Sequence, residues 1–278
     1  MKTRLWVNLA LALAVAALAW LVFFKPASTD SAKHKLSTLS ASGINEIIIT
    51  PAQRPRVVLM KRAGNWFVTE PFAGRADSAR IDSLLGMLSA ESAQRFAAKD
   101  LARFELDRPL ANVKIGTQEF LFGGVHPLSN QLYVLTQGTV YLISPVYFVD
   151  VAKQPTDYAT KQLLAETENP IAFEFASFKL TRTDGKWQKE PADAALSQDD
   201  ANKFADEWRH AQAVAVSHPR NFTSTERITL RFASGKSISL RAAQQAQEWV
   251  VLREDEKLAY HFTLDASQRL RELGKSKP

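Results

Sequence analysis

The pattern of apolar and polar residues along the chain predicts the same order of elements twice. Runs rich in β-branched and aromatic residues, bounded by turn residues, predict three strands at the start of each unit, at 44–50, 56–62 and 66–70 and again at 172–176, 179–183 and 187–190. Apolar residues at helical spacing then predict a helix in each unit, with apolar positions at 81, 84, 85 and 88 and at 201, 204, 205 and 208.

Four further strands and a closing helix complete each predicted unit. The strands are expected at 112–115, 119–122, 132–135 and 139–143 in the first unit and at 227–232, 237–241, 248–252 and 258–262 in the second. Asp77 and Ser197 are suited to begin the two middle helices, and Asp265 to begin the last helix, because their side chains can accept hydrogen bonds from free amides. The last helix is expected to end at Gly274.

Short matching motifs support a tandem repeat. Gly64-x-Trp66 followed by Glu70-Pro71 returns as Gly185-x-Trp187 followed by Glu190-Pro191. Identity between the halves is sparse, so two unrelated units remain the alternative, and the repeated order of elements is the stronger indication. We therefore predict an α+β fold with units at 44–168 and 169–278, each a mainly antiparallel sheet of three strands, a helix, four strands and a helix.

An apolar run at residues 5–24, in which only Asn8 is polar, precedes these units. A helix of that length spans roughly 30 Å, the hydrocarbon thickness of a bilayer. We therefore predict a cytoplasmic tip and transmembrane anchor at 1–25, a stalk at 26–43, and a single-pass inner-membrane protein with the bulk of the chain in the periplasm. A cleaved secretory signal is the alternative.

Composition excludes several kinds of site. The chain carries 35 Lys and Arg against 29 Asp and Glu, mixed along its length, so the net charge of +6 does not predict a nucleic-acid-binding face. Without cysteine there is no thiol catalysis, disulfide or thiolate metal site. The five histidines include no pair at the spacing that places two imidazoles on one helix face, so we predict no metal and no cofactor.

Candidate chemical motifs all have simpler explanations. No G-x-S-x-G elbow is present, and Gly123-Gly124 lacks the rest of a phosphate-binding loop, so we predict a hairpin loop there. The acidic pairs Asp199-Asp200 and Asp206-Glu207 fit helix capping and solubility better than glycosidase chemistry, because adjacent helical residues point apart. We predict no catalytic residue, and Trp66, Trp187, Trp208 and Trp249 are expected in the core.

Aromatic residues on the four-strand part of the first unit are the best candidates for a partner surface. Strand alternation turns half of each sheet's residues outward, and Phe122, Tyr133 and Tyr141 are expected to form that surface.

The first unit resembles a known family over roughly residues 44–165, and the second unit resembles it loosely. The motifs are Trp66, Pro71, Ala76-Asp77, Leu84-Leu85, Phe104-Glu105-Leu106 with Pro109, Tyr133-Val134 and Val140-Tyr141-Leu142. They resemble an uncharacterised bacterial envelope family, domain of unknown function 4340, although Glu105 stands where the family's corner often has Gly. The resemblance implies an extracytoplasmic, membrane-tethered protein, in some cases found with ABC-type transport systems of the gliding-motility type, and it implies no catalytic residues.

These observations predict a non-enzymatic protein. The expected function is a membrane-anchored periplasmic binding or accessory protein of an envelope complex, such as one of ABC-type transport or assembly, with a membrane-associated protein as partner and no nucleic acid. A hydrolase of an envelope polymer or lipid and a small-ligand or lipid carrier are the alternatives.

Overall fold

A computed structural model describes residues 6, 12–16, 20, 33–219 and 222–274. The strands of the first half are β1 (His34–Lys35), β2 (Glu46–Pro51), β3 (Val57–Arg62), β4 (Asn65–Glu70), β5 (Gly74–Arg75), β6 (Glu91–Ser92), β7 (Arg95–Ala97), β8 (Ala111–Ile115), β9 (Gln118–Val125), β10 (Leu132–Thr136) and β11 (Thr139–Ile143). Those of the second half are β12 (Pro170–Glu174), β13 (Lys179–Thr183), β14 (Lys186–Glu190), β15 (Ala215–Ser217), β16 (Glu226–Phe232), β17 (Ser237–Gln245), β18 (Glu248–Arg253) and β19 (Leu258–Thr263).

The helices of residues 33–219 and 222–274 are short. They are α1 (Ser78–Gly86), α2 (Val146–Val149), α3 (Gln198–Arg209) and α4 (Leu264–Arg271), with 3₁₀ turns at Ala41–Gly43, Met87–Ser89, Leu101–Phe104 and Pro155–Tyr158.

Two large antiparallel sheets share one strand order. The first sheet runs β5-β4-β3-β2-β8-β9-β10-β11-β7, and the second runs β14-β13-β12-β16-β17-β18-β19-β15. Apart from β5, the two orders correspond strand for strand, and β1 pairs separately with β6. The unit boundary at 168/169 stays a prediction, but each half of the described chain builds one large sheet.

The predicted fold class is wrong in two respects. The sheets are antiparallel as predicted, but they outweigh the helices, which are few and short in residues 33–219 and 222–274, so the chain is mostly sheet. The predicted transmembrane helix at 5–24 lies for the most part outside the described residues, and no helix within them is long and apolar enough to cross a membrane. The longest of the labelled helices, α3, has 12 residues, about 18 Å of helix. The same finding overturns the predicted single-pass inner-membrane localisation.

Part of the predicted stalk is folded into the molecule. Strand β1 pairs with β6, Leu36 is buried, and the hydroxyl of buried Ser37 donates to Gln118 Oε1 at 2.7 Å. Gln118 in turn donates to the carbonyl of Leu36 at 2.8 Å. These hydrogen bonds pair polar groups that would otherwise be buried without a partner. Residues 34–37 are therefore packed against the first half of the fold.

Local sequence explains the hairpins and most helix starts. Asp184 and Gly185 both have positive φ (49° and 80°), the conformation of the two-residue turn between β13 and β14. The predicted caps at Asp77 and Ser197 are confirmed, because each side chain accepts from the amide three residues on. The predicted cap at Asp265 is wrong: Thr263 leaves β19 in extended conformation, and its hydroxyl accepts from the Ala266 amide at 3.2 Å. Helix α4 ends at Arg271, before Gly274.

One hydrophobic core extends through both sheets. It joins Val113 and Phe120 of the first sheet to Phe173 and Tyr260 of the second. Within it Trp208 is fully buried, and its indole Nε1 donates to the carbonyl of Leu270 at 2.9 Å, which fastens α3 to α4. The four tryptophans expected in the core lie there, with Trp66 partly buried at its margin.

In β14, one of the two outer strands of the second sheet, the backbone groups of Trp187 are occupied by a side chain. The Trp187 amide of β14 donates to Gln198 Oε1 at 2.8 Å, and Gln198 Nε2 donates to the Trp187 carbonyl at 2.9 Å. Gln198 is the first residue of α3, so the helix start occupies the backbone groups of Trp187.

Candidate functional site

The three residues predicted to form a partner surface lie on two faces of the first sheet. Val134 pairs with both Phe122 and Tyr141, so these three share a face, and Phe122 is fully buried there against Phe148 at 5.1 Å between ring centroids. Tyr133, one residue from Val134, points to the other face. Phe122 is therefore no surface residue, because the main core covers its face.

A small second core covers the face that carries Tyr133. Phe104, Leu106 and Val140 form its buried centre, and the ring of Tyr133 lies 4.9 Å from that of Phe104. Tyr133 also contacts the ring of His126 at 5.7 Å. Tyr133 and Tyr141 keep only partial exposure, so neither supplies a broad apolar surface.

The exposed apolar side chains lie elsewhere on this sheet. Seven large hydrophobic side chains of residues 33–219 and 222–274 are exposed, and two of them, Val214 and Leu264, belong to the second half. The other five we call the apolar end: Leu110, Val125, Leu128, Val146 and Val149.

Strand register brings the apolar end together. Leu132 pairs with Val125 on one side and with Ile143 on the other, so the end of β9, the start of β10 and the end of β11 lie side by side. Helix α2 begins three residues after Ile143. Leu110 joins the same end, because its amide donates to the carbonyl of Phe122 at 2.7 Å.

Two sets of hydrogen bonds hold the loops of the apolar end. In the loop after β9, His126 Nδ1 lies 3.1 Å from the Ser129 amide and 3.3 Å from the Leu128 amide, and it fixes the turn whose tip is Leu128, 92% exposed. Below α2, Arg80 pairs with Asp150 and donates to the carbonyl of Asp157 at 2.7 Å. The exposed side chains of the loop after β9 and of α2 are thus carried by backbone that hydrogen bonds and an ion pair hold in place.

The other motifs considered in the sequence have structural roles. Gly123 and Gly124 lie within β9, so the predicted hairpin loop there is wrong; a Cβ on Gly123 would come within 2.3 Å of the Phe104 carbonyl oxygen. Asp199, Asp206 and Glu207 line a shallow groove on the exposed side of α3. Asp206 pairs with Arg209 and Glu207 with Arg269, as expected for solvent-facing acids.

A cluster of charged side chains joins the two sheets. We call it the charged joint: Arg75 of β5, Arg253 and Tyr260 of the second sheet, and Glu168 and Glu256. Arg253 is 2% exposed and makes a two-bond contact with Glu168, at 2.8 and 2.7 Å. Arg75 Nε donates to Glu256 Oε1 at 2.6 Å, and its Nη2 donates to the Leu163 carbonyl at 3.0 Å.

The charged joint shifts the pKa values of its own members. Burial alone would raise the pKa of Glu168, but hydrogen bonds from Arg253 and the Ala165 amide lower that pKa to about 2. Burial raises the pKa of Tyr260, and the negative charge of Glu256 adds to the effect. The charged groups of the cluster are bound to one another by ion pairs and hydrogen bonds. The cluster therefore has a structural role, connecting the two sheets.

A second polar chain crosses three strands of the second sheet. Ser217 Oγ lies 2.7 Å from His261 Nε2, and His261 Nδ1 lies 2.8 Å from Glu248 Oε2. Sequence reasoning missed this set, because the three residues come from β15, β19 and β18 and form no local motif. In the described residues no group of three or more His, Asp and Glu is arranged to hold a metal.

The fold and these surfaces define a protein of two similar antiparallel sheets joined by one core. The family described as a domain of unknown function, DUF4340, matches residues 66–221. The match covers more than half of the chain, so the chain belongs to this family, and the resemblance predicted from sequence is confirmed. The matched region starts later than the expected residue 44 and extends into the second sheet, where a looser resemblance was expected. No curated protein and no solved structure matched the chain.

Proposed function

We propose that this chain is a protein-binding accessory component of a cell-envelope complex and that it binds its partner through the apolar end. The observation that carries the proposal is the gathering of five exposed large hydrophobic side chains at one end of the first sheet. Single exposed hydrophobics are common on protein surfaces, whereas a cluster of them indicates a surface that another molecule covers.

The form of the apolar end favours a folded protein as the partner. Leu128 stands at the tip of a turn held by His126, and Val146 and Val149 lie on a helix anchored through Asp150. A rigid, projecting apolar group fits a pocket on a partner, the arrangement in which a few residues supply most of the binding energy. The family's expected association with transport systems indicates the kind of complex in which to look first.

Site-specific photocrosslinking tests the proposal. Benzoylphenylalanine placed at Leu128 or at Val146, in cells that make the full chain, should give an adduct with one and the same protein. The matched control is Leu264, which is 45% exposed but lies outside the apolar end. Leu128→Ser should weaken the purified complex by tenfold or more, about 1.4 kcal/mol, whereas Leu264→Ser should leave it unchanged.

The same experiment can contradict the proposal. Equal adducts from positions 128 and 264 would show nonspecific contact, and loss of binding by Leu264→Ser but not Leu128→Ser would place the interface on the second half.

A further inference from the structure

Three polar side chains of the second sheet lie on the same face of its strands. Residues 259, 261 and 263 of β19 point to the same side, Ser217 lies opposite Ala259, and Glu248 lies opposite Thr263. The other side of these strands carries Trp249, Tyr260 and Phe262, which belong to the core. Ser217, His261 and Glu248 therefore form a diagonal row on the face away from that core, and β15 is one of the two edge strands of the sheet.

The order of atoms in this row is the one that activates a serine. A carboxylate oxygen of Glu248 at 2.8 Å from His261 Nδ1 favours the tautomer with its proton on that nitrogen. The lone pair of Nε2 then faces Ser217 Oγ at 2.7 Å and can take the hydroxyl proton. In hydrolases of unrelated folds, the same three roles are recognised by geometry and not by position in the sequence.

We propose that Ser217, His261 and Glu248 form a nucleophilic site that hydrolyses short-chain carboxylic esters. Ser217 and His261 are the catalytic residues, and Glu248 is a positioning residue that acts through His261. This activity goes beyond the binding function proposed above, and it departs from the non-enzymatic protein expected from the sequence.

The proposed reaction has two balanced halves. Ser217 Oγ attacks the ester carbonyl carbon while its proton passes to His261 Nε2, and collapse of the tetrahedral intermediate breaks the bond to the alcohol oxygen, which takes that proton. Water then attacks the acyl-serine, gives one proton to Nε2, and releases the carboxylic acid as the proton returns to Ser217 Oγ.

Exposure indicates the class of substrate. The side chain of His261 is 19% exposed and that of Glu248 is 48% exposed, and Ser217 is also partly exposed, so solvent reaches the row, while Val250 and Ala259 beside His261 on the same face are buried. Because the row is only partly exposed, we expect it to take a short acyl group, while the alcohol part of the ester, which can be large, stays in solvent.

Covalent labelling of the full chain tests the site directly. A fluorophosphonate probe should form one adduct, and peptide mapping should place it on Ser217, so this measurement needs no variant. His261→Asn should slow labelling by about 10²- to 10⁴-fold, the range found for loss of a general base. An adduct on another residue, or none when a known serine esterase in the same tube is labelled, would overturn the proposal.

The chain contains a matched control for this experiment. Ser129 Oγ lies 3.1 Å from His126 Nδ1, but that nitrogen also faces the Leu128 and Ser129 amides, so its lone pair is shared. Ser129→Ala should therefore label as the unchanged chain does, and Ser217→Ala should not label. Equal labelling of these two variants would contradict the assignment.

Measuring ester hydrolysis by variants distinguishes a positioning role of Glu248 in catalysis from a purely structural role. With 4-nitrophenyl acetate, Glu248→Gln should lower kcat with little change in KM and should alter the acid limb of the pH profile. Glu248→Asp should restore part of kcat. Turnover by Ser217→Ala equal to that of the unchanged chain would show that the hydrolysis occurs elsewhere.

Discussion

At the scale of single residues, Glu168 links stability to pH. Its pKa of about 2 lies below the ordinary value of 4.5, because Arg253 and the Ala165 amide hold the charged form. A carboxyl whose pKa is lower in the folded chain stabilises the fold fully above its unfolded pKa. That contribution is then lost as the pH falls from about 4.5 through about 2.

Glu168→Gln tests this contribution. The change removes one of the two carboxylates that bind the buried guanidinium of Arg253, which keeps its bonds to Asp255, so the free energy of unfolding should fall by about 1.5–3 kcal/mol at pH 7. Urea unfolding at a series of pH values should also show that the variant loses less of its free energy of unfolding below pH 4.5 than the unchanged chain does. Glu254→Gln, which removes a more exposed partner of Arg241, should cost less than about 1 kcal/mol. Equal losses from both variants would be the contrary result.

At the scale of elements, local pattern predicted the long strands and the middle helices. Asp77 and Ser197 mark helix starts because the signal lies within four residues of chain. The two- and three-residue strands β1, β5, β6, β7 and β15 were missed, because only distant partners define them: Arg95–Ala97 forms a strand by pairing with β11. The end of β9 was missed for a similar reason, since Gly123 is placed by its contact with Phe104.

Gly123→Ala tests the contact between β9 and the turn Leu101–Phe104. The new methyl group would lie 2.3 Å from the Phe104 carbonyl oxygen, so the turn must move, and we expect a loss of about 1–3 kcal/mol, as for overpacking. Gly86→Ala is the control, because nothing lies within 4 Å of its Cβ position and the residue ends a helix. That variant should be neutral or stabilised by about 0.5–1 kcal/mol. Thermal unfolding measures both, and a neutral Gly123→Ala would show that the turn is free to shift.

At the scale of the whole molecule, the sequence indicated a repeat but not what connects its copies. Arg253 and Glu168 are 85 residues apart, and Arg75 and Glu256 are 181 apart. No periodicity or motif brings such pairs together, since they meet only when both sheets have formed. The same limit applies to Ser217, His261 and Glu248 and to the apolar end, which depend on strand register.

The charged joint and the common core should make the two sheets unfold together. Hydrogen exchange measured by mass spectrometry should give β8 and β17 of the unchanged chain the same free energy of opening. Arg75→Gln removes the contacts of β5 with Glu256 and the Leu163 carbonyl, so one sheet should then open at lower free energy than the other. Arg241→Gln, which breaks a pair within the second sheet, should not separate them. Equal lowering in both sheets of Arg75→Gln would contradict this expectation.

The contact between Gln198 and Trp187 bears on how the protein behaves when many copies are crowded together. An unpaired outer strand offers its amides and carbonyls to strands of other molecules, which is how sheet proteins polymerise and precipitate. Here one side-chain amide already fills both groups of Trp187. Another chain would have to displace the start of α3 before it could add a strand, so this border of the molecule resists self-association.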